Sequence, residues 1–150
     1  MALASMMKWD LHQMDVKKTF LNGVIEKEVY IKQAQGFEVE EKQTHVCKLK
    51  KALYGLKQAP RAWYGRIDSF LTSFNFTKSK SNTNLYFKVI DYEHGILLLY
   101  VDELFLTGNE KHIKECKKKL AEEFEMKDLG LMHYFLGLEV WQNSEGIFLN

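Results

Sequence analysis

The stretch that decides the fold is Gly95-Ile96-Leu97-Leu98-Leu99-Tyr100-Val101-Asp102-Glu103-Leu104-Phe105-Leu106-Thr107. Apolar residues fill both halves, so the pattern predicts strands over residues 96–100 and 103–107 that pair as a hairpin. Two adjacent carboxylates, Asp102 and Glu103, stand at its tip, where their like charges repel. A turn that only reversed the chain could use Asn-Gly instead. Two adjacent carboxylates at this tip therefore make poor structural sense without a partner that offsets their charge.

A divalent cation would resolve this repulsion. Hard ions such as Mg²⁺ take oxygen ligands, and two metal ions can hold the attacking and leaving oxygens of a phosphoryl transfer. A third carboxylate, Asp15, ends a strand predicted over residues 9–16 and would lie beside the tip if the strands are neighbours. Acidic turns are common, so on these residues alone a solvated acidic turn is the favoured interpretation.

The rest of the chain predicts a sheet with two helices. Further strands are predicted over residues 29–31, 46–49, 85–90, 134–141 and 147–149. One helix begins near Pro60, and its apolar stripe is Trp63, Ile67, Phe70, Leu71 and Phe74. The other follows an N-cap at Asn109, and its stripe is Ile113, Cys116, Leu120 and Phe124.

The order strand, helix, strand, strand, helix, strand predicts a ferredoxin-like α+β fold. In that fold an antiparallel sheet carries both helices on one face and leaves the other face open. Polymerase palms and RNA-binding sheets share this plan, so the fold alone does not choose between them.

Composition places limits on the function. The 150 residues are 46% hydrophobic with one Pro, which predicts a single globular domain over residues 1–150. No apolar run is long enough to span a bilayer, so no membrane partner is expected. The opening residues 1–7 lack the features of a signal peptide. With only Cys47 and Cys116, no disulfide framework is implied, and a reducing intracellular compartment is expected.

One segment is strongly basic although the net charge is only +1. From Lys42 to Arg66 there is no acidic residue, and the basic residues are Lys42, Lys48, Lys50, Lys51, Lys57, Arg61 and Arg66. This basic block suits the backbone of a nucleic acid, and an ordinary solvated surface explains it equally well.

Six motifs follow one another along the chain. They are Gln13-Met14-Asp15-Val16-Lys17-Lys18-Thr19-Phe20-Leu21-Asn22-Gly23, Glu28-Val29-Tyr30-Ile31-Lys32-Gln33, Val46-Cys47-Lys48-Leu49-Lys50-Lys51-Ala52-Leu53-Tyr54-Gly55-Leu56-Lys57-Gln58-Ala59-Pro60-Arg61-Ala62-Trp63-Tyr64, Tyr100-Val101-Asp102, Phe124-Glu125-Met126-Lys127-Asp128-Leu129-Gly130 and Tyr134-Phe135-Leu136-Gly137-Leu138-Glu139-Val140. In this order they resemble the reverse transcriptase of copia-type (Pseudoviridae-like) LTR retrotransposons, as found in plant copia polyproteins. The resemblance covers nearly the whole chain.

The resemblance implies a polymerase palm that performs two-metal nucleotidyl transfer as an RNA-directed DNA polymerase. Asp15, Asp102 and Glu103 would be its catalytic residues. Asp15, Asp102 and Val16 would form the site for two Mg²⁺ or Mn²⁺ ions, and the N–H of Val16 would lie near the triphosphate. The family usually has Asp where this chain has Glu103.

The resemblance also implies contacts to substrates. Phe20 would be the steric gate that favours deoxynucleotides, although by itself it suits a core aromatic, and Gln58 would contact the nucleotide. An RNA or DNA template-primer would contact Lys57, Pro60, Arg61, Tyr100, Leu136, Gly137 and Leu138. Two smaller departures from the family are Thr19, where Ala is usual, and Ala34-Gln35, where Pro-Glu is usual.

The same resemblance implies that fingers and thumb would be incomplete and that the RNase H part of the parent polyprotein would be missing. The expected enzyme is weak or inactive, and the alternative is a catalytically dead nucleic-acid-binding remnant of the same element. A cytoplasmic or particle-associated location would follow.

Three other interpretations remain. An RNA-binding sheet would expose aromatic residues where this chain places acids. A zinc site from His45, Cys47, His112 and Cys116 lacks a usual spacing. A purely structural protein has no specific feature in its favour.

Overall fold

The computed structural model describes residues 1–42 and 44–150. The elements in chain order are α1 (Ala2–Met7), β1 (His12–Val16), β2 (Tyr30–Lys32), β3 (Val46–Lys48), α2 (Ala59–Ser73), β4 (Thr77–Lys78), β5 (Leu85–Ile90), β6 (Glu93–Tyr100), β7 (Glu103–Gly108), α3 (Glu110–Glu123), β8 (Met126–Leu131), β9 (Tyr134–Phe135), β10 (Leu138–Asn143) and β11 (Gly146–Leu149). Short 3₁₀ turns occur at Thr19–Asn22 and Glu40–Lys42. Among the described residues, no helix is long and apolar enough to span a membrane.

The chain divides into two compact units. One unit is Met1–Lys17 with Phe70–Asn150, and the other is Lys18–Ser69. The first contains a six-stranded sheet in the order β4-β5-β6-β7-β1-β8 and a three-stranded sheet in the order β11-β10-β9. All neighbouring strands pair antiparallel. The predicted antiparallel sheet and mixed α and β composition are therefore confirmed.

The two faces of the six-stranded sheet have opposite character. Residues paired across antiparallel strands point to the same face. On one face the core consists of fully buried Met14, Leu97, Leu99, Leu104 and Leu106. Helix α3 packs against β6, β7 and β8, and it buries Ile113, Cys116 and Leu120. Its N-cap is Asn109, whose side-chain oxygen accepts a hydrogen bond from Lys111 N at 2.9 Å, as the sequence predicts.

The opposite face carries Gln13, Asp15, Tyr100 and Glu103 near the β6–β7 turn, and we call this surface the acidic face. Farther along the same face, Phe105 packs with Ala4, Leu11, Met132 and Val140. The side chains of α1 and of the terminal strands therefore cover the Phe105 end of this face.

Several predicted strands differ from the observed ones. The strand predicted over residues 134–141 is two strands, because Leu136 (φ 50) and Gly137 (φ 85) turn the chain between β9 and β10. The strand predicted over residues 9–16 begins only at His12. Strand β6 begins at Glu93 and not at the predicted residue 96, so only Asp91 and Tyr92, with φ of 50 and 65, separate it from β5.

The largest difference concerns β8. This strand pairs with β1 at the edge of the six-stranded sheet, whereas the sequence pattern predicts residues 134–141 as the last strand of that sheet. Lys127 and Asp128 make the segment polar, so its alternation predicts no strand. The segment is nevertheless a strand, because its backbone pairs with β1.

The second unit contains the β2–β3 hairpin and most of α2. Tyr30 pairs with Lys48 and Lys32 pairs with Val46. Helix α2 begins at Ala59, one residue before Pro60, which agrees with the predicted helix start. Trp63 and Ile67 are fully buried, as their spacing predicts.

Candidate active site

The tip of the β6–β7 hairpin is a two-residue turn. Tyr100 pairs with Glu103, so Val101 and Asp102 form the turn itself. Val101 has φ 56, a left-handed conformation that is an outlier for a β-branched residue. Such strain costs on the order of 1–3 kcal/mol and clusters at functional sites. The strained turn therefore marks this tip as a functional candidate on conformational grounds.

Asp15 lies directly opposite Glu103 on the neighbouring strands β1 and β7. The N–H of Val16 donates to the carbonyl of Asp102 at 2.8 Å. This bond makes Asp15 and Glu103 a non-hydrogen-bonded pair, the arrangement in which Cα atoms are closest, at about 4.5 Å. Like charges directly opposite each other destabilise a sheet. The predicted proximity of Asp15 to the hairpin is thus present in the structure.

The same hydrogen bond involves the N–H that the resemblance places near the triphosphate. The N–H of Val16 donates to the Asp102 carbonyl. The bond holds the end of β1 against the hairpin tip.

The carboxylate of Glu103 has a partner that the sequence interpretation missed. Gln13 Nε2 donates to Glu103 Oε1 at 2.8 Å. Gln13 is 8% exposed and stands two residues before Asp15, so both side chains point to the acidic face. The alternation of a strand with period two could have placed Gln13 beside the carboxylates, but it could not have revealed the hydrogen bond.

Asp15 and Asp102 have a different environment from Glu103. Asp102 is exposed and Asp15 is half-buried. Within the described part of the chain, no hydrogen bond or ion pair reaches either of these two carboxylates. Lys127 is the β8 residue in register with Asp15. No three His, Cys, Asp or Glu side chains among the described residues gather closely enough to hold a metal ion.

The thiols do not favour the zinc interpretation. Cys116 lies in the buried stripe of α3, and its burial raises the pKa of the thiol to about 12. Because the thiolate is the form that binds metal, such a residue is a poor ligand. Cys47 is exposed on β3, in the second unit.

In the second unit, the predicted nucleotide and nucleic-acid contacts gather around the start of α2. Lys57, Gln58, Pro60 and Arg61 are all exposed there. Phe20 is half-buried in a 3₁₀ turn, and its ring forms a T-shaped contact with the Tyr54 ring, with centroids 4.9 Å apart. Thr19 beside it is buried.

The basic block is less positive than the sequence suggests. Lys48 on β3 forms an ion pair with Glu28, and this hydrogen bond lowers the pKa of the Glu28 carboxyl. Glu28 lies outside the block in sequence, and the β2–β3 hairpin brings it alongside. The side chain of Lys42, the first residue of the block, lies outside the described part of the chain.

Leu136, Gly137 and Leu138 form the β9–β10 turn region in the first unit, and both leucines are exposed. Tyr100 is exposed beside the acidic pair. The structure thus places Tyr100 near the carboxylates and the three turn residues at an exposed apolar tip.

Comparison with known proteins gives a consistent result. A family model described as reverse transcriptase (RNA-dependent DNA polymerase) matches residues 1–150. The chain is 44% identical over 142 residues to the retrovirus-related Pol polyprotein from transposon TNT 1-94 of Nicotiana tabacum, a match that covers 93% of the chain and 11% of that polyprotein. It is 38% identical over 143 residues to the Pol polyprotein from transposon RE1 of Arabidopsis thaliana, covering 95% of the chain and 10% of the relative.

No solved structure matches the chain. The chain spans about a tenth of the length of these plant relatives. Because the family model covers every residue and the transposon relatives cover nearly all of them, the chain belongs to the reverse transcriptase (RNA-dependent DNA polymerase) family, which confirms the copia-type resemblance of its motifs.

Proposed function

We propose that residues 1–150 are the palm-bearing part of a retrotransposon reverse transcriptase domain and that the acidic face is its nucleotidyl-transfer site. The observation that carries this proposal is the position of Asp15 on β1, directly opposite Glu103 and one hydrogen bond from the Asp102 turn. The sheet order β6-β7-β1-β8 supports a palm, because it is the order of a ferredoxin-like βαββαβ sheet.

The donor set fits a hard divalent cation. Asp15 and Asp102 offer carboxylate oxygens without a hydrogen-bonding partner among the described residues, and oxygen ligands are those that Mg²⁺ prefers. Asp15 also faces the like charge of Glu103 across the strands. Mg²⁺ or Mn²⁺ would be held by the carboxylates of Asp15 and Asp102 and by the backbone of Val16, the residue bonded to the hairpin tip. When bound, two such ions supply charge neutralisation at the attacking and leaving oxygens.

The protein's own contribution is positioning. The Val16–Asp102 backbone bond sets the distance between β1 and the tip, so the two aspartates are held by the scaffold. The catalysis of phosphoryl transfer consists mostly of positioning and charge stabilisation. Two carboxylates carried by a fixed backbone are therefore the element that this chain contributes.

The second unit would contact substrates. Lys57 and Arg61 are exposed at the start of α2, where a helix N-terminus and basic side chains suit phosphates. Phe20, which packs against Tyr54 in a T-shaped contact, would crowd a ribose 2′-hydroxyl, and Gln58 would contact the nucleotide. We propose deoxynucleoside triphosphates and an RNA or DNA template-primer as ligands, and the apolar tip with Leu136 and Leu138 as a contact of the primer.

Primer extension on an RNA template with Mg²⁺ or Mn²⁺ tests the proposal. Asp102→Asn should abolish extension. Asp91→Asn is the matched control, because it makes the same change in the turn at the other end of β6 and Asn tolerates the positive φ found there. Equal extension by the two variants would refute a catalytic role for Asp102.

A nucleic-acid-binding protein without catalysis is the second candidate. It is favoured by the Gln13–Glu103 bond, which occupies one of the three expected catalytic carboxylates. In this case a labelled template-primer should bind with an affinity that falls with salt. The variant Lys57→Gln/Arg61→Gln should bind more weakly, and extension should be absent from the unmutated chain.

A further inference from the structure

The side chain of Glu103 leans along the acidic face toward Gln13. Gln13 pairs with Phe105, and Asp15 pairs with Glu103. Gln13 is therefore the diagonal neighbour of Glu103, at a separation of about 7–8 Å with the Cβ atoms somewhat closer, which long side chains can bridge. The hydrogen bond from Gln13 Nε2 to Glu103 Oε1 at 2.8 Å shows that both side chains extend toward each other.

The direction in which the Glu103 side chain extends determines how close its carboxylate lies to Asp102. Along β1, Gln13 lies on the side of Asp15 that is farther from the hairpin tip, because Val16 is the residue bonded to Asp102. Glu103 therefore directs its carboxylate away from Asp102. This agrees with the finding that no three acidic, His or Cys side chains gather as a metal site in the described residues.

Two interactions hold Glu103 in this position. The negative charge of Asp15 directly across the strands repels it. The Gln13 amide attracts it, and a hydrogen bond to an ionised acceptor is stronger than one between neutral groups. Gln13 is mostly buried, so water competes little for its N–H.

We infer that Gln13 is a positioning residue that holds the carboxylate of Glu103 away from the metal-binding pair Asp15 and Asp102. The inference rests on the proposed function of the acidic face. Because the hydrogen bond directs the Glu103 carboxylate away from Asp102, the side chain must release the Gln13 amide and turn before it can act as a third ligand, so the bond weakens metal binding. The extra methylene of Glu, relative to the Asp usual in the family, makes the diagonal bond possible.

The affinity for Mn²⁺ of the full chain, measured by isothermal titration calorimetry, tests the inference. Gln13→Met keeps the length and burial of the side chain but cannot donate. We expect it to tighten Mn²⁺ binding roughly tenfold, which corresponds to about 1.4 kcal/mol. In a Glu103→Gln background the same substitution should have no effect, because the carboxylate that it releases is absent.

A second variant keeps the test decisive if Gln13→Met does not fold. Glu103→Asp shortens the side chain by one methylene, so it should lose the diagonal bond and also tighten Mn²⁺ binding. A readout without metal accompanies Glu103→Asp. The side-chain amide signal of Gln13 in ¹⁵N–¹H NMR spectra should shift in Glu103→Asp, whereas that of Gln142 should stay unchanged.

The possible outcomes separate the two proposals. Tighter binding in Gln13→Met that vanishes in the Glu103→Gln background supports the inference. Binding that depends on Asp15 but is unchanged or weakened by Gln13→Met overturns the inference and leaves the proposed function intact. If Asp15→Asn does not reduce Mn²⁺ binding, or no binding occurs, both proposals fail.

Discussion

Val16 donates its backbone N–H to the carbonyl oxygen of Asp102 at 2.8 Å, which joins the last residue of β1 to the tip of the β6–β7 hairpin. The bond involves only backbone atoms. The positions of Asp15 and Asp102 therefore depend on the sheet and not on their own side chains. Substituting either carboxylate should leave the scaffold in place, so variants at these positions report on chemistry.

Adding a divalent cation should stabilise the protein if the acidic face binds it. A ligand that binds only the folded state raises the free energy of unfolding, by about 2.7 kcal/mol at a concentration one hundred times its Kd. Urea unfolding with and without Mn²⁺ should show this increase. Asp102→Asn should abolish it and Asp91→Asn should preserve it. An equal increase in both variants would place the binding elsewhere.

The ion pair between Lys117 and Asp128 should make stability depend on pH. Lys117 Nζ lies 2.9 and 3.0 Å from the two Asp128 oxygens. Burial raises the pKa of the Asp128 carboxyl, but hydrogen bonds from Lys117 and the Gly130 N–H outweigh it, so the pKa falls below its ordinary value of 3.8. This contribution is present above pH 3.8 and is lost as the pH falls through the lowered pKa.

Lys117→Met should therefore cost roughly 1 kcal/mol at pH 7, a small value because Asp128 is half exposed and solvent screens the pair. Urea unfolding between pH 5 and pH 2 should show a smaller loss of stability for this variant. Lys114→Met, an exposed change on the same helix, is the control. The prediction would be contradicted if the free energy of unfolding fell equally with pH in the unmutated chain and in Lys117→Met.

His12 contacts the same lysine and should respond to its removal. Its Nδ1 lies 3.2 Å from Lys117 Nζ. Burial, and then the positive charge of Lys117, lower the pKa of His12 below 6.5. Since the folded chain disfavours the protonated ring, stability should fall as the pH drops below 6.5. In an NMR titration, Lys117→Met should raise the pKa of His12, and an unchanged value would count against the contact.

Gln142 on β10 should be an important stabilising residue of the first unit. Its Oε1 accepts from Leu11 N at 2.8 Å, and its Nε2 donates to the carbonyls of Leu11 and Met132. Gln142→Leu should cost at least about 2 kcal/mol, because backbone groups lose their partners. The Leu11 amide should also lose protection from hydrogen exchange. Glu145→Gln, in an exposed turn, should change neither quantity.

Two glycines of the second unit should respond to alanine in opposite directions. A Cβ at Gly23 would lie 2.8 Å from Ala62 Cβ and 2.9 Å from backbone atoms of α2. Gly23→Ala should therefore destabilise the chain by roughly 1–3 kcal/mol. A Cβ at Gly65 in α2 would meet nothing within 4 Å. Gly65→Ala should stabilise by about 0.5–1 kcal/mol, and urea unfolding measures both.

Elements with strong local signals could be predicted from the sequence. The apolar halves of residues 95–107 specify the β6–β7 hairpin, and Asn109 caps α3 as expected. The order of the motifs was sufficient to indicate the family. It also indicated Asp15, Asp102 and Glu103 as candidate catalytic residues, because a motif is recognised from residue type and position along the chain.

Three features were decided only by the tertiary structure. Strand β8 is too polar to be recognised alone and forms through pairing with β1. Glu28 reduces the charge of the basic block, because a hairpin brings it to Lys48. The hydrogen bond between Gln13 and Glu103 joins residues 90 positions apart. In each case the deciding interaction is between groups distant in sequence, so only the register of the folded strands could reveal it.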